Sequence, residues 1–293
     1  MNQVRSLLTA CLVATALVAA GCAGGDDQAT HSAEDGTEIR TGGELVYALE
    51  AESAGGFCIP SAQLAASGMV VVSSIYDPLT VPTADGEWAP YLLESFEPNE
   101  TATAFTLKLR EGVTFHDGTP LDSTVLKNNL DAWAGRYPNQ PSLLWSLVFE
   151  PIDTIEVVDD LTVEVTTTVP WPAFPGYLNG GGRLGIMAQA QLDDTETCDR
   201  NLIGTGPYVL DEWLVNDRLT ADRNPDYWAT DEQGNPLPYL DRIEFVPVVD
   251  SQNRVNGLLA DEYGVGMFRR AAPTEVLEAE SEAGAVDVTQ STE

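Results

Sequence analysis

Apolar positions along this 293-residue chain follow three regimes. Leu7 to Ala20 is an uncharged run of fourteen residues, Ala23 to Thr41 holds almost no large apolar residue, and from Gly43 onward short patterned segments follow one another. Gly43–Glu50 alternates loosely and predicts a strand, followed by a loop over Ser53–Cys58. Pro60–Tyr76 carries apolar residues at helical spacing and predicts a helix opened by Pro60-Ser61. Phe105, Leu107 and Leu109 share one face of a strand over Ala104–Arg110, and Phe115-His116-Asp117-Gly118 is its turn. Asp122 or Ser123 then caps a helix to about Arg136, with Val125, Leu126, Leu130 and Trp133 on the buried stripe.

The later pattern is richer in strands. Thr154–Val158 and Leu161–Val169 flank Asp159-Asp160 as a hairpin, and Pro207–Leu214 with Arg218–Asp222 form another about Asn216-Asp217. Between them Val169–Gly176, with three prolines, predicts an extended crossing segment, because each proline biases its predecessor away from helix. Arg242–Val248 predicts a strand and Ser251–Glu262 a helix. Strands and helices interleave without an internal repeat, which places the chain in the α/β class.

The first regime is an address. A basic start ending at Arg5 precedes the apolar run, which is shorter than the roughly 20 residues a spanning helix needs and fits a secretory leader. The run closes on Ala19-Ala20-Gly21-Cys22, which resembles a lipoprotein cleavage box with Ala19 in place of the usual leucine. Residues 1–21 are then a leader, Cys22 carries the lipid, and residues 22–41 are a polar tether unable to bury enough surface to order itself. An ordinary leader with an incidental cysteine is the alternative. In either case no further run suggests a membrane-embedded protein.

Cleavage there leaves 272 residues at a formal charge of −33, from 46 acidic and 14 basic residues in the whole chain. A surface this acidic repels phosphate backbones and argues against nucleic acid as a partner. Of four cysteines, Cys11 leaves with the leader and Cys22 takes the lipid. Cys58 and Cys198 remain, and in an exported chain such a pair reads as a disulfide, with two separate buried thiols as the alternative.

Three blocks point further. They are Gly42-Gly43-Glu44-Leu45-Val46-Tyr47-Ala48-Leu49, then Phe105 to Pro120 (FTLKLREGVTFHDGTP), then Ile203 to Phe245, with Ile203-Gly204-Thr205-Gly206-Pro207-Tyr208, Arg223-Asn224-Pro225-Asp226-Tyr227-Trp228 and Leu237-Pro238-Tyr239-Leu240-Asp241-Arg242 within it. In this order they resemble the family 5 extracellular solute-binding proteins of ABC importers, the peptide and nickel binders. The resemblance covers about Gly42 to Asp261 and fades from about Tyr263. It implies a type II periplasmic-binding-protein-like fold, two-lobed with a discontinuous first lobe. Residues 42–77 and 187–262 would form lobe I and 78–186 an inserted lobe, with 263–293 beginning a closing lobe. Family members continue beyond this point, so the closing lobe is expected to be missing from a chain that stops at Glu293.

Chemistry is hard to place by comparison. His116 is the sole imidazole outside the tether, beside Asp117 in a turn, and no Gly-x-Ser-x-Gly elbow accompanies it. Gly204-Thr205-Gly206 lacks a third glycine and leads into a strand, so it is no dinucleotide loop. No cluster has metal-ligand spacing. We therefore expect no catalytic residues, cofactor or metal. The resemblance places Ser53, Gly56 and Phe57 near a ligand, with Tyr76 at the end of the following helix, Trp171 and Tyr208 as apolar wall and Gly206 near the hinge; ordinary core packing is the alternative for each aromatic. Asp77, Asp226 and Asp241 read as turn and cap residues. The expected protein is a monomeric lipid-anchored receptor that passes a peptide or similar small solute to an ABC permease. A non-binding remnant and an exported hydrolase are the competing readings.

Overall fold

A computed structural model describes residues 39–53 and 55–268. The expectations for the leader, Cys22, most of the tether and the tail from residue 269 lie outside the described residues.

Strand β1 (Glu44–Leu49) sits inside a five-stranded sheet drawn from both ends of the described chain. It leads through the Ser53–Cys58 loop to helix α1 (Ala66–Ile75). After α1 come the short strands β2 (Thr80–Pro82) and β3 (Trp88–Pro90), paired with each other. Strands β4 (Leu93–Pro98) and β5 (Ala104–Leu109) open a second sheet, and helix α2 (Ser123–Trp133) follows. The turn α3 (Trp145–Val148) precedes β6 (Ile152–Asp159) and β7 (Thr162–Thr167), which complete that sheet in the antiparallel order β4-β5-β7-β6. The chain returns through the short helices α4 (Phe174–Tyr177) and α5 (Gln189–Asp193). It then forms β8 (Tyr208–Leu214), β9 (Arg218–Arg223), β10 (Arg242–Pro247), α6 (Ser251–Leu259) and β11 (Val265–Gly266). The five-stranded order is β11-β1-β10-β9-β8, with β1 parallel to both β10 and β11, and the β8-β9 hairpin antiparallel beside them.

Side-chain pattern accounts for most of these elements. Phe105, Leu107 and Leu109 are all buried on one face of β5, as period-two alternation requires. Asp122 caps α2 by accepting from the Val125 amide at 2.9 Å. That helix ends at Trp133, short of Arg136, because Gly135 adopts φ +71°. Arg136 is instead turned onto the free carbonyls of Ile152 and Asp153 at the outer edge of β6. Ser123 Oγ takes the Asp159 carbonyl of the same strand at 2.6 Å. These contacts cover the two ends of that edge strand.

Three further expected elements differ. The helix foreseen from Pro60 begins only at Ala66, because the Ser61 and Ala62 amides both donate to the Cys58 carbonyl, at 3.0 and 2.8 Å, and close a turn there. The crossing segment is extended only through its first prolines. Phe174–Tyr177 is a helical turn, which tolerates Pro175 because a first-turn proline forgoes no hydrogen bond. In addition, α6 stops at Leu259 rather than Glu262, before Asp261 at φ +56°.

One buried apolar cluster runs through both sheets, from Leu49, Phe57 and Phe245 to Phe105, Trp133 and Phe149. Cys58 and Cys198 are bonded, with sulfurs 2.02 Å apart, and tie the loop after β1 to the segment before β8. In the chain-entropy treatment a loop this long is worth about 5 kcal/mol. Replacing both cysteines by serine is expected to lower unfolding free energy by about 2–5 kcal/mol. Urea denaturation checks this, and an unchanged midpoint would deny the bond a stabilising role.

Candidate functional site

Because β1 and β10 run parallel, with Leu49 opposite Pro247, their carboxyl ends share one edge of the sheet. In open α/β sheets ligands sit outside that edge. A crevice lies there, floored by Leu49, Val71 and Phe245 and carrying polar groups of Glu52, Ser53 and Ser67. Its volume is about 10 Å³, room for one water. Glu52 is already engaged: its carboxylate accepts from the Ser53 amide at 3.0 Å and the Asn216 amide at 2.8 Å. The loop is pressed onto its neighbours. Gly56 has φ +68°, an added Cβ would lie 2.6 Å from the Asp199 carbonyl oxygen, and the Phe57 amide donates to that oxygen at 2.9 Å.

The six residues foreseen as ligand contacts do not converge. Ser53 and Phe57 line the crevice, and Gly56 backs it. Tyr76 is buried elsewhere, its hydroxyl donating to Gln191 Oε1 at 3.0 Å, and desolvation pushes its pKa far up. Trp171 packs among Phe149, Phe174 and Tyr177, with ring centroids 5.1–6.1 Å away. Tyr208 is buried at the start of β8. Tyr76 and Tyr208 are core aromatics here and Trp171, partly buried, packs against the core.

The strongest polar constellation is one the sequence reading passed over. Asp77, expected as a turn or cap residue, is 2% exposed. Its Oδ2 accepts from Thr205 Oγ at 3.0 Å and from Trp228 Nε1 at 2.8 Å, and its Oδ1 accepts from the Tyr227 hydroxyl at 3.1 Å. Tyr91 in turn donates to Tyr227 at 2.9 Å, since the Tyr227 proton is committed to Asp77. The Arg110 guanidinium lies 5.1 Å over the Trp228 ring, and its Nε donates to the Tyr91 carbonyl. Desolvation pushes the Asp77 pKa up to about 6 despite its three donors. Thr205 reaches Asp77 only because its flanking glycines lie against the end of α1. A Cβ on Gly204 would stand 2.0 Å from the Ile75 carbonyl oxygen, and the Gly206 amide donates to that oxygen at 3.0 Å.

Chemically this constellation is a structural seam: a buried acid whose oxygens are taken up by the Thr205, Tyr227 and Trp228 donors. Among the described residues no group of His, Cys, Asp or Glu is placed to hold a metal ion. No described helix is long and apolar enough to cross a membrane.

Comparison with known proteins resolves the class. The model for bacterial extracellular solute-binding proteins, family 5 Middle, matches residues 87–292. The chain belongs to this family. The match runs on through residue 292, so the fading placed at about Tyr263 is corrected. The glutathione-binding protein GsiB of Pectobacterium atrosepticum is 32% identical over 184 residues, which are 63% of this chain and 34% of that protein. Among solved structures, the periplasmic binding protein AgaA from A. tumefaciens R10, in complex with agropinic acid, aligns with TM-score 0.65 and 28% identity. That alignment covers 75% of this chain and 43% of AgaA. DppA from Helicobacter pylori, bound to the peptide STSA, shares the fold at TM-score 0.69 and 23% identity, over 82% of this chain and 49% of its own. The relatives are binding proteins, not enzymes, and the chain spans about a third of the length of the curated relatives it matches.

Asp77→Ala leaves three buried donors unpartnered and is expected to cost about 3 kcal/mol or more. Because the native pKa of Asp77 lies above the ordinary 3.8, the folded state binds its proton more tightly. That stabilising contribution is complete below pH 3.8 and is lost as pH rises through about 6. The stability gap between wild type and Asp77→Asn should therefore be wider near pH 4.5 than near pH 7.5. Chemical denaturation at both pH values measures it, and an equal gap would mean that Asp77 does not titrate in this range.

Proposed function

We propose that this chain is the solute-capturing part of a lipid-anchored extracytoplasmic receptor that delivers a peptide or similar small solute to an ABC permease. The observation that carries the reading is the family match over residues 87–292, joined to a crevice at the carboxyl edge of β1 and β10. The relatives support the solute class: GsiB is a glutathione-binding protein, and DppA was solved with a peptide.

In this reading residues 42–77 and 187–262 are the first lobe, 78–186 an inserted lobe, and 263–293 the start of a closing lobe. Ser53, Gly56 and Phe57 contribute one wall of the ligand site. A space for one water holds no peptide by itself, so capture in this reading requires a second wall brought up by hinge closure between lobes. Backbone groups and small polar side chains on such a wall suit ligands of varied side chain. The receptor works as a monomer, held to the outer membrane face through Cys22, and needs no cofactor or nucleic acid.

Isothermal titration of the full chain with glutathione, dipeptides and tetrapeptides tests the reading. At least one is expected to bind with a dissociation constant in the micromolar range or below, and Ser53→Trp should weaken it at least tenfold. Absence of heat with every peptide would overturn peptide capture by this chain, and binding untouched by Ser53→Trp would move the site elsewhere. Cys22→Ser is expected to release the protein from the membrane fraction.

A further inference from the structure

His116 stands where the two sheets meet. It belongs to the loop leaving β5, and it holds the turn that enters β8 by three hydrogen bonds. Its amide donates to the Gly204 carbonyl at 2.9 Å. Its Nδ1 receives the Gly204 amide at 3.3 Å, and its Nε2 lies 3.0 Å from the Gly206 carbonyl oxygen. A backbone amide can only donate and a carbonyl only accept, so the geometry admits one state of the ring: neutral, bare at Nδ1 and protonated at Nε2. No residue with a fixed proton count could be displaced from this arrangement by acid, but an imidazole can.

We propose that His116 is an acid-sensitive clamp on the 204–206 turn: a proton taken from solvent onto Nδ1 removes the acceptor of the Gly204 amide and loosens the seam between the two sheets. The bond from Nε2 to Gly206 survives protonation, as does the bond from the His116 amide, so one of three contacts opens and the loop is not expelled.

The groups around the ring set the direction. Burial disfavours the imidazolium and lowers the pKa from 6.5, while Asp117 on the same loop and the Gly206 carbonyl favour the charged form. On the far side of the turn Asp77 holds Thr205, with Tyr227 donating to the same carboxyl. Because the His116 pKa is depressed, its contribution to stability is complete above pH 6.5 and is lost as pH falls toward the folded value. Asp77 acts in the opposite sense, gaining its proton around pH 6 as the solution is acidified. Global melting temperature mixes the two effects, so the clamp has to be read locally.

The Gly206 amide supplies an internal reference, because it donates to Ile75 and not to the imidazole. Long-range proton–nitrogen NMR on the full chain, with the ring assigned by comparison with His116→Gln, reads tautomer and titration. Amide hydrogen exchange, corrected for intrinsic rate, reads the turn. The expected result is the Nε2–H tautomer at neutral pH and a midpoint below 6.5. Gly204 protection should fall about fivefold relative to Gly206 as pH is taken from 7.5 to below that midpoint, the loss of one net hydrogen bond. In His116→Gln, whose amide accepts and donates but does not titrate, that dependence should vanish. An Nδ1–H tautomer, a midpoint at or above 6.5, or Gly204 protection that ignores pH would overturn the clamp. So would a fall in His116→Gln equal to that in wild type. If that variant does not fold, the wild-type tautomer, midpoint and exchange still decide.

Discussion

The structure depends on one close approach, that of the Gly204-Thr205-Gly206 backbone to the end of α1. The Ile75 carbonyl oxygen occupies the space a Cβ on Gly204 would need, and it accepts the Gly206 amide. This contact seats Thr205 on Asp77, and Tyr227 and Trp228 close over the same carboxylate. A bare buried carboxylate would be costly. Three donors from two distant segments offset that cost, and no mobile solvent is needed. Tyr91 and Arg110 carry the network on to the four-stranded sheet, so a single acid joins the exit of α1, the entry to β8, the loop after β9 and the approach to β4.

The candidate ligand wall follows from this seam and from a second, covalent constraint. Placing the entry to β8 sets the β8-β9 hairpin, which lies antiparallel to β10 and so fixes the sheet edge where β1 and β10 end together. The Cys58–Cys198 bond then draws the loop after β1 over that edge, and Gly56 lets it lie close against Asp199. Neither constraint touches a solute. Both hold Ser53 and Phe57 on the crevice at that edge.

How much of this was legible in the sequence depended on how local the physics was. The alternation in β5, the Asp122 cap and stripe of α2, and the Asn216-Asp217 hairpin are short-range patterns, and they appear in the structure close to where they were read. The start of α1 was missed because a turn on the Cys58 carbonyl, beside a bond to residue 198, overrides a permissible helix opening at Pro60. Asp77 was missed because its partners lie 128 to 151 positions away. An acid satisfied by remote donors leaves no periodic trace. Tyr76, Trp171 and Tyr208 were ambiguous for the opposite reason: an aromatic in a sequence looks the same whether it lines a cleft or packs in a core, and here Tyr76 and Tyr208 are buried while Trp171 packs against the core. Two of the three motif blocks did hold more than resemblance, since His116 comes from the second and Gly204, Tyr227 and Trp228 from the third, and all meet at the seam.

The most direct measurement is equilibrium unfolding of Gly204→Ala, followed by tryptophan fluorescence and by far-ultraviolet circular dichroism together. A backbone contact that excludes a Cβ predicts a loss of stability of about 1–3 kcal/mol, as expected when a buried, close-packed site is overfilled, with both signals shifting because both sheets share the seam. Wild-type stability in Gly204→Ala would contradict the close approach on which the rest of the structure is built.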